Sequence, residues 1–175
     1  MVLAGTAAVA ILSAGSLPWP LALASVALGA LMIAGADVDA RAYLLPDTVT
    51  FATLACGVMA ALAIEPFGPW HAVGAALARA AGTAGALAAL RFGYARLRGE
   101  EGVGLGDVKL AAGVGAWLPL EHVALCFALA TGAALLYAFH ARSRGRMIRR
   151  TSRIPFGAFL CPALWLVFYA GAVSA

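Results

Sequence analysis

Long apolar runs separated by short polar breaks make up almost the whole chain. They cover Val2 to Leu17, Leu21 to Ala36, Thr48 to Ile64, His71 to about Leu90, Val108 to Leu120, His122 to His140 and Pro155 to Val173. Proline and glycine punctuate them, as in Pro18-Trp19-Pro20 and Glu65-Pro66-Phe67-Gly68-Pro69, where a helix cannot continue undisturbed. The pattern predicts seven helical segments. The fifth has only 13 residues, and at about 1.5 Å per residue it falls well short of a hydrocarbon layer of about 30 Å. The expected fold is an all-α, polytopic membrane helical bundle with six to seven transmembrane segments, six if the first run is not a full span.

Composition agrees with that pattern. Hydrophobic residues make up 63% of the chain, charged residues 11%, and the mean hydropathy is +0.93, values that exclude an ordinary soluble domain. Abundant Ala and Gly suit close helix packing. No internal repeat or low-complexity segment is visible. Cys56, Cys126 and Cys161 lie singly inside apolar runs and read as small buried hydrophobes, so no metal site is expected. No Lys or Arg precedes Arg41, so the first run lacks the basic start of a signal peptide and reads as a retained span.

The basic residues set an orientation. Arg41, the group Arg91, Arg96, Arg98 and Lys109, and the six arginines from Arg142 to Arg153 all fall on alternate connections. The basic side is expected to be cytoplasmic, which puts Asp37, Asp39, Asp47 and Asp107 on that side, the N-terminus inside and the C-terminus outside. Arg79 is left over in the middle of the fourth run. It either faces a polar interior and snorkels, or pairs with a carboxylate of a site.

Two acidic stations stand out. Asp47 follows Pro46 and fits a helix N-cap for the third run, and Asp107, after Gly102, Gly104 and Gly106, can cap the fifth. Asp37 and Asp39 end a helix, where the dipole disfavours a carboxylate, so capping does not explain them. A carboxylate at or below the membrane surface is costly unless paired, solvated or protonated. Two brought close together would share a proton, one polarising a carbonyl while the other takes a proton from water. That chemistry needs no cofactor.

Gly104-Leu105-Gly106-Asp107 resembles the Gly-x-Gly-Asp signature of intramembrane aspartyl proteases, and Glu101 to Leu110 resembles the type IV prepilin peptidases. Asp39, eight residues before the Asp of Leu45-Pro46-Asp47, is similar to that family's first catalytic block. Gly113 to Leu118 is similar to the segment after its second Asp, and Arg153-Ile154-Pro155-Phe156-Gly157 to its Ile-Pro-Phe-Gly block.

The resemblance implies an aspartic endopeptidase of the plasma (inner) membrane, with Asp39 and Asp107 as a catalytic pair facing the cytoplasm. It would cut the leader from prepilin or pseudopilin precursors after a glycine and before their apolar helix. Gly104 and Gly106 would admit the substrate backbone, and Asp47 and Glu101 are placed at the substrate site, Glu101 with Glu100 as a candidate to attract a basic leader. The expected organisation is one membrane-embedded peptidase unit over 1–175, with two leading spans in 1–36 and the catalytic core in 37–175. No cysteine tetrad of the kind linked with N-methylation in the family is present, so methyltransferase activity is expected to be absent. The bilayer and the precursor are the expected partners, with no nucleic acid; the oligomeric state is left open. Lys109 is expected to snorkel or to bias the ionisation of Asp107. Rival readings are a small ion- or proton-coupled transporter and an inactive scaffold of a pilus or secretion assembly.

Overall fold

The computed structural model describes residues 2–64, 68–99, 102–144 and 155–174. Residues 65–67, 100–101 and 145–154, with Glu100, Glu101 and most of the arginines after Arg142, lie outside these. Seven helices follow in chain order: α1 (Val2–Ser16), α2 (Trp19–Ala42), α3 (Asp47–Ile64), α4 (Pro69–Arg98), α5 (Leu105–Trp117), α6 (Leu120–Ser143) and α7 (Gly157–Ser174). No strand occurs among the described residues.

The helix starts follow the punctuation of the sequence. Pro18 and Pro20 open α2, Gly68 with φ 100° precedes Pro69 of α4, and Pro119 opens α6. The largest departure from expectation is at the end of α2. It does not stop at Ala36 but runs on to Ala42, so Asp37 and Asp39 lie inside its last turns. Arg41 accounts for Asp37: its Nη2 lies 2.7 Å from the carboxylate one turn earlier, an i, i+4 pair that offsets the unfavourable dipole. Tyr43 ends the helix in the left-handed region at φ 54°, its N–H donating to Asp39 O, and turns the chain back over the site.

Five helices are long and apolar enough to cross a membrane: α2, α3, α4, α6 and α7. Large apolar side chains such as Leu129, Leu135, Leu136 and Phe139 of α6, Phe51 of α3 and Leu97 of α4 stand exposed on the outside of the bundle. That surface is suited to lipid rather than water, and the chain is a multi-pass membrane protein. α1, with 15 residues, is shorter. It is fixed to the bundle by a polar relay in which Ser13 donates to Ser25 at 2.8 Å and Trp165 Nε1 donates to the same Ser25 Oγ at 3.1 Å. The first run, without an assignable role in the sequence, thus covers α2 and ties it to α7.

α5 is the central element. Leu110, Ala111 and the whole stretch Gly113 to Trp117 are buried, packed with Leu28 and Met32 of α2 and Leu160 and Leu164 of α7. Its glycines let neighbouring helices touch its backbone. A Cβ on Gly115 would lie 2.4 Å from Arg79 O of α4, and one on Gly113 2.8 Å from Thr53 Cγ2 of α3. Trp117 then locks the C-terminal end by donating from Nε1 to Thr53 O at 2.8 Å.

Candidate active site

The C-terminal end of α2 and the first turns of α3, α5 and α7 meet at one end of the bundle, and each acidic station sits on one of them. Asp39, only 5% exposed, points at the start of α7, where its Oδ2 accepts the backbone N–H of Ala158 at 2.8 Å. That donor is a first-turn amide shared with the Pro155 carbonyl, 3.2 Å away, and the positive end of the α7 dipole favours a carboxylate there. The contact depends on Gly157, since a Cβ at that position would lie 2.9 Å from Asp39 Oδ2 and 3.1 Å from Leu45 Cδ1. The Pro155-Phe156-Gly157 block therefore has a physical purpose, which is to present an open helix end to Asp39.

Asp107 is half-buried, the third residue of α5. It is not the N-cap; Gly104 holds that position, and the Gly104 N–H donates back to the Asp107 carboxylate. This is the reciprocal half of a capping box. Asp107 precedes the buried part of α5 and lies outside the five long apolar helices. Its pKa is pushed up to about 6, first by burial and second by the charge of Asp39, against the lowering effect of the Gly104 N–H. The two carboxylates thus feel one another, as a proton-sharing pair requires. Leu45 packs beside the acids: a Cβ on Gly106, next to Asp107, would lie 3.0 Å from Leu45 Cβ, and the same side chain reaches Gly157 and Gly35.

The remaining expectations divide. Asp47 lies in the first turn of α3, but the capping position belongs to Pro46, whose carbonyl accepts from Val49 and Thr50. The Asp47 carboxylate turns away to Lys109, 2.6 Å from its Nζ, with both side chains well exposed. Lys109 also sits over the Phe51 ring. It neither snorkels freely nor meets Asp107, because a tertiary contact with α3 holds it. Arg79 does not reach the acidic end. Its Nε donates to Gly115 O at 3.2 Å, eight residues along α5 from Asp107. Gly104 is exposed beside Asp107, whereas the side-chain space of Gly106 is filled by Leu45. Glu101 lies outside the described residues.

Three features of the site escaped sequence reasoning: the Ala158 amide, the packing of Leu45 and the left-handed Tyr43. Only the first left a signal, since Pro155 marks a helix start and hence unsatisfied amides. Among the described residues no three His, Cys, Asp or Glu side chains stand together as metal ligands. What the pair offers is general acid–base chemistry on water.

Residues 26–139 match the type IV leader peptidase family. The chain is 35% identical over 153 residues to a prepilin leader peptidase/N-methyltransferase of Burkholderia pseudomallei, covering 85% of this chain and 48% of that protein. It is 31% identical over 155 residues to one from Xanthomonas campestris, covering 84% and 50%. With the leader peptidase HopD of Escherichia coli it shares 34% identity over 134 residues, 74% of this chain and 81% of that protein. The chain thus spans about half the length of the first two. No solved structure matches it. With the match extending over most of the helical bundle and both acidic stations inside it, the chain belongs to the type IV leader peptidase family.

Proposed function

We propose that the chain is an aspartic endopeptidase that removes the leader of prepilin-type precursors after a glycine, at the cytoplasmic face of the plasma (inner) membrane. What supports this reading is the placement of Asp39 and Asp107 where four helix ends meet, with the charge of Asp39 second to burial in raising the Asp107 pKa. The relatives, a prepilin leader peptidase/N-methyltransferase and a leader peptidase, suggest the substrate class.

In the reaction, the ionised carboxylate of the pair takes a proton from water as the water oxygen bonds to the scissile carbonyl carbon. The protonated partner gives its proton to the carbonyl oxygen. When the resulting gem-diol collapses, the C–N bond breaks, the proton held by the pair passes to the leaving amine, and one gem-diol hydroxyl returns its proton to the pair as the new carboxyl C=O forms, which restores the dyad to one shared proton. The exposed Gly104, with no side chain over Asp107, leaves room for the substrate backbone. Gly106 serves the same site by letting α5 close on Leu45. Asp47 and Glu101 are assigned as acceptors for a basic leader, Asp47 in exchange with its Lys109 partner. Arg41, Arg96, Arg98 and Arg142 close the helices at the acidic end, which supports a cytoplasmic orientation. Both acids lie at helix ends rather than along a path through the bundle, which favours a peptidase over an ion relay. The peptidase half of the relatives' name is the half we assign to these residues; methyl transfer is not.

Membranes carrying the wild type, Asp39→Asn or Asp107→Asn, mixed with a precursor bearing the Gly junction, test this directly. The wild type is expected to shorten the precursor, and each variant to lose about 100-fold or more in rate while remaining folded. Mass analysis of the product reports both the cleavage point and any added methyl group. Equal cutting by all three proteins refutes the dyad.

A further inference from the structure

At the end of the bundle opposite the acids, α5 stops early. Its 13 residues span about 20 Å, while α4 and α6 beside it have 30 and 24. Beyond its C-terminus the packed interior gives way to a cavity of about 410 Å³. Its walls are mostly apolar, with Ala60, Trp117, Leu118, Val167 and Phe168 among them, and the ionisable side chains that line it among the described residues are Arg79 and His122.

Arg79 has a definite reason to be here. In α5 the carbonyl of Gly115 would accept from the N–H of residue 119, but that residue is Pro119 and has none. Arg79 Nε supplies the missing donor at 3.2 Å. This uses one of five guanidinium N–H groups. The rest of the guanidinium makes no hydrogen bond or ion pair with a described residue, and neither does the imidazole of His122. Helical side chains lean toward their own N-terminus, so Arg79 leans along α4 toward the open end. A permanent cation within an apolar span, whose one partner among the described residues is a neutral carbonyl, calls for an anion.

We propose that this cavity binds a phosphate group, supplied by a glycerophospholipid from the leaflet at that end, with Arg79 as the main receptor, His122 as a second donor and the apolar wall taking the acyl chains. The planar guanidinium fork matches phosphate oxygens. The wall decides the source: a free, hydrated phosphate would leave most of this apolar surface uncovered, whereas a lipid meets both parts of the site.

The test uses the full chain purified in phospholipid-free detergent, with 1:1 adducts followed by native mass spectrometry. Three probes are compared: phosphatidylglycerol, diacylglycerol, which lacks the phosphate, and glycerol 3-phosphate, which lacks the acyl chains. Phosphatidylglycerol is expected to bind, both other probes to bind about tenfold or more weaker, and Arg79→Gln to lose about tenfold in affinity for the lipid, with Arg79→Lys in between. Glycerol 3-phosphate binding as tightly as the lipid, in an Arg79-dependent way, assigns the site to aqueous phosphate and overturns the lipid source. Equal lipid binding by wild type and Arg79→Gln overturns the site. If Arg79→Gln fails to fold, His122→Ala decides instead: lipid affinity reduced severalfold supports the site, and unchanged affinity refutes it.

Discussion

Replacing Asp107 by Asn removes a titrating group whose pKa stands at about 6 in the folded protein against an ordinary 3.8. The difference of about two units corresponds to about 3 kcal/mol. Because the folded-state value is the higher one, the native protein holds the proton more tightly than the unfolded chain. The stabilisation is therefore fully present below about pH 4 and is lost as pH rises through about 6. Above that, the fold carries the full cost of an ionised Asp107 near Asp39. Unfolding titrations in detergent, followed by tryptophan fluorescence from pH 4 to 7.5, should show Asp107→Asn gaining on the wild type by up to about 3 kcal/mol as pH rises. Asp39→Asn should narrow that gap, since it removes the second cause of the shift while leaving burial, the first. Parallel pH profiles for wild type and Asp107→Asn would refute the reasoning, because they would mean that Asp107 is neither desolvated nor under the influence of Asp39.

Three further outcomes are expected. Gly157→Ala places a Cβ 2.9 Å from Asp39 Oδ2, so precursor cleavage should fall by about tenfold or more while unfolding free energy drops by only about 1–3 kcal/mol; unchanged cleavage would separate Asp39 from the open end of α7. Ser25→Ala deprives Ser13 and Trp165 of a buried partner and should cost about 1–2 kcal/mol in the same unfolding assay, with cleavage rates retained, because Ser25 lies about 20 Å from Asp39 along α2. Lys109→Met breaks an ion pair whose side chains are 39% and 61% exposed, and should change stability by less than about 1 kcal/mol; a larger loss in a denaturant titration would give that pair a structural weight its exposure argues against.

Much of the bundle was legible because membrane helices are written as long apolar runs, and Pro18, Pro69 and Pro119 mark three of their starts. The end of α2 was not. Asp37 and Asp39 interrupt the apolar run and look like terminators, and only the pairing of Asp37 with Arg41 and of Asp39 with Ala158 shows why the helix tolerates them. The second of those partners lies 119 residues away, beyond the reach of any local pattern. Asp107 was legible from its glycine-rich approach, but its position as third residue rather than cap depended on where α5 begins. For Arg79 the sequence left two alternatives, and the partner found belongs to neither carboxylate. The clue was nonetheless present, since Pro119 leaves the carbonyl four residues before it without a donor. Lys109 illustrates the opposite case: which of several acids a surface lysine meets depends on how α3 and α5 cross.

The sequence poses capping and catalysis as competing explanations for Asp107 and excludes capping for Asp39, yet in the structure both carboxylates accept an amide from the start of a helix. Asp39 receives an amide from the start of α7, and Asp107 receives one from the start of α5. These donors offset part of the cost of burying each group and hold its orientation. For Asp107, burial and the neighbouring charge still outweigh the amide, so the group keeps a proton well above the ordinary carboxylate range. A capping carboxylate that is incompletely compensated is therefore also a proton carrier. The two properties come apart on substitution. Asn can accept the same amide but cannot titrate, so Asp39→Asn should fold like the wild type and fail to cut a prepilin precursor. Asp39→Ala loses the acceptor as well, leaves the half-buried Ala158 N–H with only its longer bond to Pro155 O at 3.2 Å, and should unfold about 1 kcal/mol more easily than Asp39→Asn. Equal stability of the two variants would show that Asp39 does not hold the end of α7, and its place beside Gly157 would then need another cause.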